Sequence, residues 1–446
     1  MNVQSFINQY QEVMIEALRA LIREPRVSST GEGMEQHHDL LLDIMRDVGI
    51  EPQVHTTPGY PIITGTIAGR TDKTLMVYGH YDVQPAEPLD EWDYPPFGAE
   101  RVDDRIYGRG AIDDKGNFMT AIQALRYYRE QGQKPPINVT FVLEGEEEIG
   151  SPHLEDFLQA HRDELTPDSI IGLDDCVQPD GRPKVVLGLK GGCTLELVAH
   201  GKTQFHSLMA AIIENPAWRL FWALGTMKRP DGEITIDGFL DDVRPPTEME
   251  QQLVDALDYD GKEWLEASGR DAFLGGKTGN AAMHDFFFKP TCNVAGIIGG
   301  YTGPGFQGVI PRTVTVKMDL RLVPNQSPDR VAQQVRDHLR RRGFSDIEVN
   351  YLKGGDWFRT APDAPIVQCL TQSVDQVFDE GAAVWVTYAG GGPASKVDRV
   401  FGVPQVASGF GPVGDRIHTP NEYMTVDLYL KGIQTMIHTF DAYART

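Results

Sequence analysis

The feature that most constrains this chain is where its apolar runs stop. PIITGTIAG, TLMVYG and INVTFVLEG read as strands, and the last two run directly into His80-Tyr81-Asp82 and Glu146-Glu147-Glu148. Between them, GRGAIDDKG sets Asp113-Asp114 ahead of the segment NFMTAIQALRYYREQG, whose Phe118, Ile122 and Leu125 keep helical spacing and whose Gly132 suits a helix end. A further helix is expected near HLEDFLQAH. Strands alternating with helices of this length predict an α/β fold, a mainly parallel sheet with helices on both faces. Ligands bind beyond the carboxyl ends of strands in such sheets, so the acidic and histidine motifs belong on one rim.

Gathering Asp113, Asp114, Glu147 and Glu148 at neighbouring strand ends is costly unless cations offset the repulsion. Imidazole mixed with carboxylate is a donor set for zinc, manganese or cobalt rather than calcium. The remaining composition narrows the function by exclusion. A net charge of −23 over 446 residues argues against nucleic acid. Arg340 to Arg342 form the basic cluster of note, and they end a predicted helix before Gly343, where they complement its dipole. Cys176, Cys193, Cys292 and Cys369 show no paired spacing, which predicts free thiols and a cytoplasmic protein. The first residues read as an amphipathic helix rather than a signal peptide, and no apolar run approaches the ~18 residues of a membrane span.

Past Gly191 the pattern changes. CTLELVAHG alternates, and TVTVKMDLRLV places Val314, Val316, Met318, Leu320 and Leu322 on one face. Ser327-Pro328 then starts a helix with Val331, Val335 and Leu339 inward, and the strand DIEVNYL follows. Strand, helix, strand, strand, helix, strand describes an inserted α+β, ferredoxin-like module, with residues 228–300 as an elaboration within it. The expected domains are residues 1–190 and 356–446 for a catalytic part, and 191–355 for an inserted lid and dimerisation domain.

The ordered succession LMVYGHYDVQP, YGRGAIDDKGN, LEGEEEIGS, GLDD and IHTPNE resembles the dinuclear metallopeptidase family of carnosine dipeptidases, glutamate carboxypeptidase, acetylornithine deacetylase and succinyl-diaminopimelate desuccinylase. ITIDGFLDDVRPPTE, NVAGIIGGYTGPG and LRLVPNQ look most like the carnosine dipeptidase branch. The resemblance implies two divalent ions per subunit, zinc first, with manganese or cobalt as alternatives. His80 and Asp174 would hold one, Glu148 and His418 the other, and Asp113 would bridge them. Asp82 would orient the His80 ring. Glu147 would be the general base acting on a metal-bridging hydroxide. His206, in GKTQFHS, matches the histidine that reaches a partner subunit's site, which implies a homodimer; the competing reading is a helix-start histidine. Arg321 matches the arginine aimed at a substrate carboxylate, against a local salt bridge. Backbone groups of Gly390, Gly391 and Gly392 would assist it.

Asp114 reads as a cap or support, Asp175 as a neighbour of a ligand, and Glu146 as a solvated or supporting residue. His37, His38, His55, His153, His161, His200, His284, His338 and His438 lack a motif and are expected at the surface or satisfied in the core. The expected activity is hydrolysis of dipeptides or short peptides. Deacylation of N-acyl amino acids is the enzymatic alternative, and a catalytically silent metal-binding scaffold is the other; Glu147 argues against the latter. The expected partners are the small substrate and a second copy, with no nucleic acid and no membrane.

Overall fold

The computed structural model describes residues 1–36, 38–257, 261–413 and 416–446. The chain folds as two units, one of Met1–Gly188, Thr360–Val386 and Gly392–Thr446, the other of Leu189–Arg359 and Thr387–Gly391. Residues 387–391 group with the second unit, of which the sequence periodicity contains no sign.

The first unit is built on eight strands: β1 (Glu51–His55), β2 (Ile62–Ile67), β3 (Thr74–His80), β4 (Asn138–Glu144), β5 (Ser169–Leu173), β6 (Lys184–Val186), β7 (Ala383–Trp385) and β8 (Gln405–Ser408). Their order is β1-β2-β4-β3-β5-β8-β6-β7. The centre, β4-β3-β5-β8, is parallel, as expected. The β1-β2, β2-β4 and β8-β6 pairs are antiparallel, so the whole sheet is mixed. A short link between β1 and β2 allows only a hairpin, because a parallel pair needs a long crossover.

β3 and β4 are buried along almost their whole length, the mark of a strand covered on both faces. Met76, Tyr78, Val142 and Ile170 pack with Leu154, Phe157 and Leu158 of helix Leu154–Ala160 and with Val397 and Val400 of helix Ala394–Phe401. Helix Lys115–Arg129 packs on β3, with helices Val3–Ile22 and Val426–Tyr443 against it in turn. Phe118, Ile122 and Leu125 are buried as their spacing predicts, but so is nearly every other residue of that helix, since other elements enclose it.

In the second unit, strands Gly191–His200, Asn293–Gly299, Thr313–Leu322 and Glu348–Gly355 form an antiparallel sheet in which the first and third lie together at the centre. That is the ferredoxin-like order. Cys193, Leu195 and Leu197 pair with Leu320, Met318 and Val316, and all six face one core. Helices Pro216–Gly225 and Pro328–Arg341 supply Leu220, Ala223, Val331, Ala332, Val335 and Leu339 to it. Ser327 stands at the N-cap and Pro328 at the first helical position, yet the serine side chain makes no capping bond. Among the described residues no helix is long and apolar enough to cross a membrane.

Candidate functional site

The sheet brings the acidic and histidine motifs of the first unit to one rim. His80 ends β3 opposite Glu144, which ends β4 in parallel register. Glu147 and Glu148 lie in the single turn that follows β4, Asp174 directly follows β5, and Asp113 stands just before Asp114, the N-cap of helix Lys115–Arg129. Their ligand atoms form two groups, His80 with Asp113 and Asp174, and Asp113 with Glu148 and His418; within each group the atoms lie within 4.8 Å of one another.

Asp113 belongs to both groups through different oxygens. Its Oδ1 is 2.9 Å from His80 Nε2, and its Oδ2 is 2.8 Å from His418 Nε2. Asp174 Oδ2 stands 3.9 Å from His80 Nε2, and Glu148 Oε2 stands 3.2 Å from His418 Nε2. Donors about 2.0–2.2 Å from one tetrahedral cation are roughly 3.3–3.6 Å apart, so the spacings bracket those of a shared ion.

The hydrogen bonds around the groups test that fit. His80 Nδ1 is 3.0 Å from the Asp82 carbonyl oxygen and 3.3 Å from its carboxylate, which keeps the ring proton on Nδ1. Both the backbone carbonyl and the carboxylate of Asp82 thus face the ring, the carbonyl being the nearer. His80 Nε2 is buried and faces Asp113 Oδ1, and Glu148 Oε1 is buried with no hydrogen-bond partner among the described residues. A bare imidazole lone pair aimed at a carboxylate oxygen needs a proton or a cation between them, and neutral imidazole plus carboxylates is a suitable donor set.

Electrostatics lead to the same need. Burial opposes ionisation of Asp113, but the imidazoles of His418 and His80 outweigh it and hold its carboxyl below the usual range. Burial likewise disfavours charge on His80, while Asp113 and Asp82 outweigh it and raise its pKa. Hydrogen bonds to Asp113 and Glu148 push His418 up to about 10. Glu147 belongs to neither group. Burial, followed by the charges of Glu148 and Asp113 against the opposing His80, raises its pKa and suits it to take up a proton.

Asp82 has a second task. Its Oδ1 and Oδ2 accept the backbone N–H groups of Glu147 at 3.2 Å and Glu148 at 3.1 Å, so one buried carboxylate ties the β3 end to the glutamate turn. Asp114 sits at the N-cap of its helix without a capping bond; its Oδ2 accepts the His80 N–H at 3.0 Å, which is support rather than capping. Asp175 pairs with Lys184 at 2.5 Å. Glu146 is buried, accepting from Tyr60 N at 3.2 Å and contacting His153 Nδ1 at 2.7 Å.

Three contributors escaped notice in the sequence. Gln84 Nε2 donates to Glu148 Oε2 at 2.9 Å. Asn117 donates to the carbonyls of Ile112 and Asp175, both at 3.1 Å, and accepts from Phe410 N at 2.7 Å. Glu422 accepts the N–H groups of Ile112 and Asp113. Gln84, Asn117 and Glu422 lie inside LMVYGHYDVQP, YGRGAIDDKGN and IHTPNE, and position within those motifs was the available signal.

In the second unit, His206 is exposed and its Nδ1 accepts from Leu208 N at 3.2 Å, the local contact of a helix-start histidine. Arg321 Nε donates to Asp319 Oδ2 at 3.2 Å, the local salt bridge foreseen as its rival role. A side chain at Gly391 would stand 3.7 Å from Arg321 Nη1, and one at Gly390 would meet the Tyr388 ring at 2.4 Å. Gly392 belongs to the first unit and is exposed. Of the histidines without a motif, His338 is sealed against Thr226 and Asp237, and His37 lies outside the described residues.

Residues 76–442 match Peptidase family M20/M25/M40. Cys-Gly metallodipeptidase dug1 of Schizosaccharomyces pombe is 29% identical over 416 residues, covering 88% of this chain and 86% of its own length. Beta-Ala-His dipeptidase of Mus musculus is 33% identical over 313 residues, 68% of this chain and 63% of its own length. Among solved structures, the M20 family metallo-carboxypeptidase Sso-CP2 from Sulfolobus solfataricus is similar with a TM-score of 0.86 at 33% identity, covering 97% of this chain and 99% of that one.

Proposed function

This chain belongs to peptidase family M20/M25/M40, and we propose that it hydrolyses the amide bond of dipeptides or short peptides at a two-cation site formed by His80, Asp113, Glu148, Asp174 and His418. The observation that carries this reading is the pair of donor groups sharing Asp113, one with the buried His80 Nε2 facing a carboxylate oxygen and the other with Glu148 Oε2 beside His418. Two divalent ions, zinc first and manganese or cobalt as alternatives, would supply Lewis-acid polarisation of the scissile carbonyl and a more acidic water.

The protein's own part is positional and protolytic. Asp82 holds the His80 ring and the Glu147–Glu148 turn in one arrangement. Glu147 takes the proton of the attacking water and passes it to the departing amine nitrogen, completing cleavage to a free carboxylate and a free amine. In the second unit, Arg321 beside Gly391 is a guanidinium suited to a substrate's terminal carboxylate, with Gly390 and Gly391 lending backbone groups. Dipeptide specificity is supported by the Cys-Gly and Beta-Ala-His dipeptidases among the relatives.

The oligomer in this reading is a homodimer. Helix Pro216–Gly225 exposes Trp218, Phe221 and Trp222, and the edge strand Asn293–Gly299 exposes Val294, Ile297 and Ile298, apolar groups that a second copy would cover. His206 would then serve the partner's site, steadying the oxyanion. Four buried free cysteines support a reducing, cytoplasmic setting.

The test is mass-spectrometric product analysis of metal-stripped and of zinc- or manganese-reconstituted protein on dipeptides, tripeptides and N-acyl amino acids. Metal-dependent dipeptide cleavage is the expected result. Products confined to N-acyl amino acids would transfer the chain to the deacylases, and no metal-dependent product would sink the reading.

A further inference from the structure

The peptide that carries the bridging carboxylate is held by a group outside both donor sets. Glu422 is fully buried, four residues beyond His418. Its Oε1 accepts two consecutive backbone N–H groups, Ile112 at 2.9 Å and Asp113 at 3.2 Å. Its Oε2 accepts from Arg109 Nη1 at 2.7 Å. Arg109, also buried, sends Nη2 to the Pro85 carbonyl at 3.2 Å and lies over the Trp92 ring. The Glu422 carbonyl accepts the Gly108 N–H at 2.9 Å as well.

Both carboxylate oxygens are therefore committed to protein donors, so Glu422 is no ligand itself. What it does is join three segments: the one following His80 and Asp82, reached through Pro85; the Ile112–Asp113 peptide; and the one carrying His418. A buried ion pair contributes little net stability compared with an apolar pair of similar volume, so stability alone is a weak reason for this one. Placement is a stronger reason. Asp113 can address two cations only if its carboxylate plane is set between the groups, and the peptide nitrogen that Glu422 grips is two bonds from the Cβ of that side chain.

We infer that Glu422, clamped by Arg109, is a positioning residue that aims the Asp113 carboxylate between the two donor groups and keeps it in register with His418. This rests on the two-cation reading.

The experiment uses two paired variants of the full chain, Arg109→Met with Glu422→Gln and Arg109→Met with Glu422→Leu, so that neither leaves a buried charge unpaired. Glutamine keeps an acceptor for the two N–H groups; leucine does not. Cobalt(II) is titrated into metal-stripped protein by calorimetry and followed by its visible absorption. In the leucine pair one of the two cobalt ions should bind about 10-fold to 100-fold more weakly, with an altered spectrum, and the glutamine pair should restore both. Glu422→Asp keeps the charge but withdraws the acceptor by one methylene; it should show the same weakening and stands in if the leucine pair does not fold. Two-ion binding unchanged from wild type in the leucine pair, or in Glu422→Asp where that pair does not fold, overturns this inference alone. Wild-type uptake of fewer than two cobalt ions overturns the two-cation reading and the inference with it.

Discussion

His80 and Asp113 in the first unit are held by buried partners, whereas the side chains of His206 and Arg321 in the second each show one local hydrogen bond among the described residues. His80 is held at its backbone by Asp114 and at its ring by Asp82, and Asp113 is held at its peptide by Glu422. His206 and Arg321 have the Leu208 amide and the Asp319 carboxylate, respectively. The strands explain the contrast. β3 and β4 are covered on both faces and their ends are fixed by the packing, while Thr313–Leu322 is buried on alternate residues and shows its other face to solvent. A site that must hold repelling carboxylates needs the first kind of support. A residue that acts on something arriving from outside can sit on the second.

Three substitutions press on this contrast. Glu147→Gln removes the proton acceptor and leaves both donor groups intact, so turnover should fall by about 10²-fold to 10⁴-fold with metal content unchanged. Elemental analysis beside steady-state kinetics checks it, and a wild-type rate would break the assignment of chemistry to the first unit. His206→Ala should lower kcat by about 10²-fold to 10³-fold without loss of metal. Mixing it with Glu147→Gln protein should recover activity, since a mixed dimer pairs one intact base with the other subunit's intact His206; no recovery in verified mixed dimers would refute the cross-subunit role. The smallest effect belongs to Ser327→Ala. Its hydroxyl makes no capping bond, so urea unfolding should shift by less than about 0.5 kcal/mol, against about 1 kcal/mol for a serine that caps.

Much of the site was legible because strand ends announce themselves. An apolar run that ends in His80 or leads into Glu147 and Glu148 declares both the element and the rim it reaches. The supports were less legible. Gln84 and Glu422 sit within recognisable motifs, but nothing in their spacing says that one amide would reach the Glu148 carboxylate or that one carboxylate would take two consecutive N–H groups. Asn117, the last residue of YGRGAIDDKGN, is likewise inside a motif, yet nothing in its spacing says that it ties together segments around residues 112, 175 and 410.

Hydrophobic periodicity by itself indicated the α/β class and the alternating strands of the second unit, because these depend on neighbours a few residues apart, and the ordered motifs carried the family resemblance that implies the metal-ligand candidates. Only the tertiary structure decided that the sheet is mixed, that Asp113 divides its two oxygens between the groups, that the Asp82 backbone meets His80, and that residues 387–391 fold with the second unit. Those are properties of groups up to about 300 residues apart in the chain, as Glu422 and Asp113 are. Their meeting depends on how the packed layers close, which no local pattern encodes.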